Sequence, residues 1–284
     1  MIIVKLHGGM GNQFFQYALG RQLAERNQTE LKLDTNWLTR ADQDRPYQLG
    51  HFSIKAKIAT GVEIRALKGI VPERAQRLLK LPLGSHVVKE NSVLFDSAVL
   101  QAGPNTYLEG YWQSEKYFTS IASLIRQELS LNTKASGKNA TLLEKINQTH
   151  AIALHVRRGD YVTNATANKF HGICSIDYYE RAIAHISKKV ENPHFYVFSD
   201  DPEWTKEHIK ITYPTTYISH NGDAAHEDIR LMRACQHFII ANSTFSWWGA
   251  WLSENSEKMV IAPKQWFSGG TPNPDLLPHS WIEL

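Results

Sequence analysis

From residue 151 onward the chain alternates short apolar runs with stretches of helical period, and that alternation leaves few folds open to it. Strand character marks 151–156, 194–198, 215–218, 237–241 and 258–262, while helical spacing marks 176–189, 201–210, 226–236 and 243–252. Strands separated by helices of about 10–15 residues build βαβ units around a parallel sheet. The N-terminal half begins the same way. Ile2-Ile3-Val4-Lys5-Leu6 is a nearly continuous apolar run, Phe15, Leu19 and Leu23 with Ala18 return to one helical face, and 30–34 reads as a second strand. Residues 35–51 are polar, carry Pro46 and read as a loop or insertion; 54–100 shows little period beyond a short helix near 73–79 and a break at Pro82-Leu83-Gly84. A strand at 106–110 is followed by Ser114, placed to cap a helix whose apolar positions are Ile121, Leu124, Ile125 and Leu129. The polar stretch 132–139 then reads as a linker. The expectation is an α/β chain of two domains, 1–145 and 146–284.

Composition narrows the partners. With 42% hydrophobic and 21% charged residues the chain can build ordinary globular cores. A net charge of +3 is too small to imply nucleic-acid binding, yet it opposes neither an anionic ligand nor a loose approach to an acidic membrane surface. Cys174 and Cys235 lack CxxC spacing, which argues against a disulfide framework and a structural zinc site and favours a reducing compartment. No basic stretch and apolar signal core opens the chain, and no apolar run reaches the roughly 18 residues of a spanning helix. The expected location is therefore cytoplasmic, at most peripheral on the membrane. Oligomeric state is not set by these features.

Chemistry concentrates where strands end. The run 151–156 leads directly into Arg157-Arg158-Gly159-Asp160, so an apolar strand delivers two fixed positive charges to its carboxyl end, where open α/β sheets bind ligands. Arginine meets phosphate oxygens with paired, charge-assisted hydrogen bonds, and the pair reads as a pyrophosphate clamp. The alternative is that the arginines simply answer Asp160. Gly8-Gly9-Met10-Gly11-Asn12-Gln13 lies between the first strand and its helix, where Gly9 and Gly11 would let the backbone approach an anion. A dinucleotide fingerprint fits poorly despite Asp34 at the end of the second strand, because Phe14 stands where a third glycine would let helix and strand close up, and no Lys-Ser/Thr follows for a P-loop. An empty βα turn is the plainer alternative. Asn242-Ser243-Thr244 open an apolar helix after a strand and form a second anion site or an ordinary cap, while Trp247, Trp248 and Trp251 read as core. Asp200 and Asp201 would suit a divalent cation, although Asp201-Pro202-Glu203 is also a regular helix start. Glu227 and Asp228 complement a helix dipole, and Asp228 is also placed to accept hydrogen bonds from a guanine edge or a ribose.

These motifs, in this order, resemble a known family. His155-Val-Arg157-Arg158-Gly-Asp160 is similar to the HxRRxD motif of the α1,2/α1,6/protein O-fucosyltransferase group. The glycine loop continued to Tyr17, the run Gly110-Tyr-Trp-Gln-Ser-Glu-Lys-Tyr-Phe118, Phe198-Ser-Asp-Asp201 and Asn242-Ser-Thr-Phe-Ser-Trp-Trp248 look like those of the α1,2-fucosyltransferases, glycosyltransferase family 11. The resemblance implies a GT-B-like architecture, with a cleft between two Rossmann-type domains. It also implies GDP-L-fucose as donor and inverting, metal-free transfer to the 2-hydroxyl of a terminal galactose, as in lactose, N-acetyllactosamine or an O-antigen galactoside. On the same ground Arg158 would grip the β-phosphate, Arg157 orient the motif, His155 lie near the nucleotide and Asn12 reach the pyrophosphate from the first domain. No cofactor is expected beyond the donor substrate.

Breaking the fucosyl–phosphate bond leaves negative charge on GDP, so Arg158 and helix-terminal amides would stabilise the leaving group as a metal would. A loose transition state asks little of a base; Asp160 is the first choice, with Glu115 and Asp177 behind it. The competing expectations are a metal-dependent transferase using Asp200 and Asp201, a non-catalytic nucleotide-sugar or glycan-binding module, and, more weakly, an NAD-dependent oxidoreductase.

Overall fold

The computed structural model describes residues 1–42, 45–81, 83–84, 86–159, 172–268 and 273–284. The expected break at Pro82 and the motif residue Asp160 lie outside them. The chain forms two units, Met1–Asn132 with Asn273–Leu276, and Thr133–Pro272 with Leu277–Leu284. Among the described residues no helix is long and apolar enough to cross a membrane.

In the first unit a parallel sheet runs in the order β3-β2-β1-β5-β4, from β1 (Ile2–Lys5), β2 (Leu31–Asp34), β3 (Lys57–Ile58), β4 (His86–Lys89) and β5 (Thr106–Glu109). The apolar run of β1 is explained by its central place: Ile2, Ile3 and Val4 are fully buried because both faces of a parallel strand are covered. Helices α1 (Met10–Arg26), α2 (Gly61–Leu67), α3 (Glu73–Leu78) and α4 (Ala122–Glu128) belong to this unit. Phe14 does not crowd α1 against the sheet. It is buried edge-on against Phe52, 4.9 Å away. The close approach comes later in the helix, at Gly20, where an added Cβ would stand 2.3 Å from Val4 Cγ2 and 2.8 Å from Leu31 Cδ1. Ser114 caps only a 3-10 turn (Glu115–Tyr117), and α4 begins at Ala122.

In the second unit the strands β6 (His150–Val156), β7 (Pro193–Ser199), β8 (Thr215–Ile218), β9 (His237–Ile239), β10 (Val260–Ala262) and β11 (Ile282–Glu283) form a parallel sheet ordered β11-β10-β9-β6-β7-β8. Counted within the unit this is the order 3-2-1-4-5-6 of doubly wound dinucleotide-type sheets, with the reversal between β6 and β9. The helices are α5 (Gly137–Asn147), α6 (Ile176–Ser187), α7 (Pro202–His208), α8 (Ala225–Ala234) and α9 (Thr244–Trp251). One face of α6, Tyr178, Tyr179, Ala182, Ile183 and Ile186, packs on Ile152, Leu154, Phe195, Val197, Ile239 and Ile261. Trp247, Trp248 and Trp251 are core, as their spacing suggests.

The division between units falls after Asn132 rather than at 145/146. The reason is α5, hidden in a polar stretch: Leu142 and Ile146 are buried, and Asn139 Nδ2 donates to Asn221 Oδ1 (2.9 Å) and Glu227 Oε2 (3.1 Å) of the second unit.

Gly20→Ala should cost about 1–3 kcal/mol of stability by overpacking, despite alanine's better helix propensity. Gly9→Ala, whose Cβ would meet nothing within 4 Å, should leave the unfolding midpoint in place. Thermal denaturation of the two variants checks the contrast.

Candidate functional site

Each sheet carries candidate site residues at its carboxyl edge, where its strand order reverses. On the second unit the reversal brings the end of β6 beside the start of α9: the His155 and Phe245 rings stand 5.5 Å apart. Register places the arginines. Val156 pairs with Ser199 along β6–β7, so the next residues out, Arg157 and Arg158, meet Asp200 and Asp201. Arg157 Nη1 lies 2.7 Å from Asp200 Oδ2, and the Arg158 backbone N–H donates to Asp200 Oδ1 at 2.8 Å. Arg158 Nε approaches Asp201 Oδ2 at 3.3 Å, while its guanidinium lies 3.6 Å from the centre of the Trp204 ring. That stack holds the guanidinium plane and leaves Nη1 and Nη2 without a partner among the described residues. Gly159 permits the close packing of this loop, because a Cβ there would stand 2.6 Å from Asp200 Oδ2.

The two acids therefore serve the arginines. Asp201 is also the cap expected for α7, its Oδ1 accepting from Trp204 N at 3.3 Å. A cation on this pair, the arrangement the metal-dependent alternative needs, would have to displace both arginines. Trp204 was not singled out from the sequence; its role depends on β6–β7 pairing, which leaves no local signal.

At the mouth of α9, Ser243 is extended and makes no capping hydrogen bond with its side chain. Ordinary capping is thus not its use, and the first-turn amides, with Ser243 and Thr244, form an anion-ready helix end. The Asn242 side chain is buried, donating to Gly172 O (3.3 Å) and Trp266 O (3.2 Å) and accepting from Cys174 Sγ (3.4 Å), so it braces the neighbouring loops. His155 is buried with Nδ1 lacking a partner, and burial with the Arg157 charge pushes its pKa down to about 3. It is a neutral imidazole. Asp228 stands in the first turn of α8, accepts from Asn221 Nδ2 at 2.7 Å and has its pKa raised by burial to about 6. Neighbouring Glu227 is taken by Arg230 and Asn139. Of the three base candidates, Asp160 is not among the described residues, Asp177 is paired with Arg181 at 2.8 Å on an exposed face of α6, and Glu115 lies in the first unit.

On the first unit the reversal lies between β1 and β5. Gly8 takes φ +77°, a left-handed conformation that suits glycine, and Gly9 is the extended N-cap of α1 with no side-chain cap. Gly11 is buried in the first turn of α1. Asn12 Oδ1 accepts from Gln113 Nε2 at 2.9 Å, which ties the glycine loop to the Gly110–Phe118 motif. Asp34 is buried and accepts from Tyr107 Oη (2.7 Å) and Asn36 N (3.0 Å), which ties the end of β2 to β5. After β5 the chain turns through Trp112 at φ +59°, a conformation costing a bulky residue about 1–3 kcal/mol. Glu90 compensates by accepting from the N–H groups of Tyr111 (2.7 Å) and Trp112 (2.9 Å). This turn sets the Tyr111 ring 4.3 Å from His7, whose other neighbour is Trp37 at 6.0 Å. Sequence reading passed over His7 and Trp37. The position of His7 immediately after the first strand was the available signal.

The buried histidines make stability depend on pH. Burial, then the Lys5 charge, pushes His7 down to about 4, and His155 falls to about 3, both below the ordinary 6.5. Unfolded histidine takes up protons as pH falls through about 6.5, when the folded form does not, so each costs about 1.4 kcal/mol of stability per pH unit below that point. Asp228 acts oppositely, because its raised folded pKa adds stability on acidification from about 6 towards the unfolded value near 3.9. The net expectation is a falling unfolding midpoint between about pH 6.5 and 4.5, less steep in His7→Gln. Thermal melts across that range check it.

Residues 90–273 match the family described as Glycosyl transferase family 11. Along its whole length the chain is similar to an alpha-1,2-colitosyltransferase of Escherichia coli, at 30% identity over 100% of this chain and 99% of that protein. It is likewise similar to the O-antigen biosynthesis glycosyltransferase WbnK of Escherichia coli, at 32% identity over 98% of this chain and 99% of the relative. Among solved structures, the fucosyltransferase NodZ from Bradyrhizobium shares the fold, with a TM-score of 0.51 and 13% identity over 87% of this chain and 91% of that one. Two Rossmann-type parallel-sheet units are the GT-B-like architecture anticipated from the motifs. A family match across most of the chain, joined to end-to-end kinship with two bacterial transferases, carries one conclusion: the chain belongs to glycosyl transferase family 11 and is a glycosyltransferase.

Proposed function

We propose that the chain is an inverting α-1,2-fucosyltransferase that moves L-fucose from GDP-β-L-fucose to the 2-hydroxyl of a terminal galactose. The observation that carries the donor half is the Arg158 guanidinium, stacked on Trp204 at 3.6 Å with its two terminal nitrogens uncommitted among the described residues. A preset guanidinium stabilises the charge that grows on the β-phosphate as the glycosidic bond breaks, with no reorganisation at that moment. Arg157 holds the loop through Asp200, and the amides at Ser243 and Thr244 supply further donors. His155, neutral at any working pH, offers a hydrogen bond to the nucleotide, and Asp228 accepts from it. Gly9, Gly11 and Asn12 are assigned to the donor, as the motif resemblance implies, and Asp160 to the acceptor's proton. The arginines supply the positive charge, so the reaction needs no metal. The motif resemblance supports fucose, and the two O-antigen-type relatives support a role in surface-glycan assembly on the cytoplasmic side, where the unpaired, buried Cys174 and Cys235 fit a reducing compartment.

A second donor is favoured by the similarity to a colitosyltransferase. Colitose is fucose without its 3-hydroxyl. A site that hydrogen-bonds that hydroxyl rejects the deoxy sugar by several orders of magnitude, whereas an apolar site discriminates only weakly.

Turnover with GDP-fucose and GDP-colitose against lactose, with and without EDTA, tests both readings. Chelator-resistant release of GDP with an α-1,2 product by NMR is expected, with kcat falling about 100- to 1,000-fold in Arg158→Ala. Turnover restored only by Mn²⁺ would favour a metal-dependent route, and GDP-fucose that fails to bind would end the fucosyl reading.

A further inference from the structure

The first unit carries a feature that the donor does not use. His7, Trp37 and Tyr111 come from three separate strand ends, those of β1, β2 and β5, and converge on the carboxyl edge of the sheet. Tyr111 is 42% exposed, although large apolar side chains near a sheet edge are ordinarily covered. Its hydroxyl and the Trp37 indole nitrogen have no protein partner among the described residues.

Hydrogen bonding defines the third member. Gln16 Oε1 accepts from the His7 backbone N–H at 3.1 Å, so Nε2 is the amide nitrogen, and it reaches both His7 O and His7 Nδ1 at 3.1 Å. Nδ1 is therefore an acceptor, and the proton of the neutral ring sits on Nε2. His7 is a fixed hydrogen-bond donor. The left-handed turn at Trp112 fits the same purpose: Gly110 leaves no room for a Cβ, which would stand 2.4 Å from Glu90 Cβ and 2.8 Å from the Trp112 ring, and the turn aims Tyr111 at His7 and Gln113 at Asn12. Strain kept at a turn whose products are an exposed ring and a positioned amide is the mark of a binding site.

We propose that His7, Trp37 and Tyr111 seat the terminal galactopyranose of the acceptor, with the aromatic rings against its apolar face and His7 Nε2–H donating to a hydroxyl. The inference rests on the galactoside-transfer reading above and names where that acceptor is held. Aromatic faces combined with a few fixed polar groups recognise a sugar ring, which has C–H faces and a hydroxyl rim. Galactose suits them better than glucose, because its axial 4-hydroxyl leaves the C–H groups at C3, C4 and C5 together on one face. Gln113, held through its Nε2 by Asn12 Oδ1, keeps its amide oxygen beside the same loop for a further hydroxyl.

Saturation-transfer NMR with methyl β-D-galactopyranoside and methyl β-D-glucopyranoside, on the wild type, Trp37→Ala and Tyr111→Ala, tests the site. Expected is transfer to H3, H4 and H5 of the galactoside, weak transfer to the glucoside, and loss of the galactoside signal in both variants. In turnover the acceptor KM should rise roughly tenfold or more with a smaller change in kcat. GDP affinity, measured by titration calorimetry, should stay within about twofold, since neither aromatic ring is assigned to the nucleotide. Tyr111 is exposed, so Tyr111→Ala decides the matter if Trp37→Ala is unstable. Galactoside binding that is absent in the wild type, or unchanged in folded Tyr111→Ala, overturns the platform. Failure of the donor reading shows separately, as absent GDP-sugar binding alongside intact galactoside contacts.

Discussion

Two guanidinium groups on adjacent residues repel each other, and a partly buried loop holds them only if matching acids stand opposite. In this protein the β6–β7 register supplies those acids: Arg157 faces Asp200 and Arg158 faces Asp201. The rest of that sheet edge follows from the quartet. Gly159 has no side chain because Asp200 occupies its space, Asp201 both caps α7 and steadies Arg158, and α7 in turn places Trp204 under the guanidinium. An isolated surface ion pair contributes little. Here four charges, a ring and a backbone N–H fix one another, which gives a cation preset for a phosphate.

The first unit solves a different problem by the same topology. Its sheet also reverses order, between β1 and β5, and the gap is lined by aromatic and amide groups instead of arginines. A strained Trp112 and a half-buried Glu90 hold that lining, so its geometry costs stability that the fold would otherwise keep. The two edges thus differ in chemistry, one cationic and the other aromatic and amide-lined.

Much of the architecture was legible because parallel strands are buried on both faces and announce themselves as apolar runs. All five strands read between 151 and 262 are present, with their intervening helices, and so are the strands near 2–6, 30–34 and 106–110. The short and exposed elements were not legible. β4 is an edge strand whose His86, Val87 and Lys89 face solvent, so it shows no alternation, and α5 carries too few apolar residues to stand out from its polar surroundings. α2 left a sign that went unread: Thr60 and Glu63 form a capping box, both of whose hydrogen bonds are made. At Asn242 the residue type alone is equally suited to binding a ligand or to bracing loops, and the bonds to Gly172 O and Trp266 O that make it a brace depend on distant chain segments.

The amino-acid sequence by itself determined the βαβ order, the placing of charged and glycine-rich motifs at strand ends, and the family. Those properties are local, being written in period, spacing and residue type. Tertiary structure alone decided which motifs are neighbours: that Asp200 and Asp201 face the arginines, that Trp204 supports Arg158, and that Trp37 and Tyr111 both flank His7. Strand order and register set these pairings, and both depend on contacts between residues far apart in the chain, which no local pattern records.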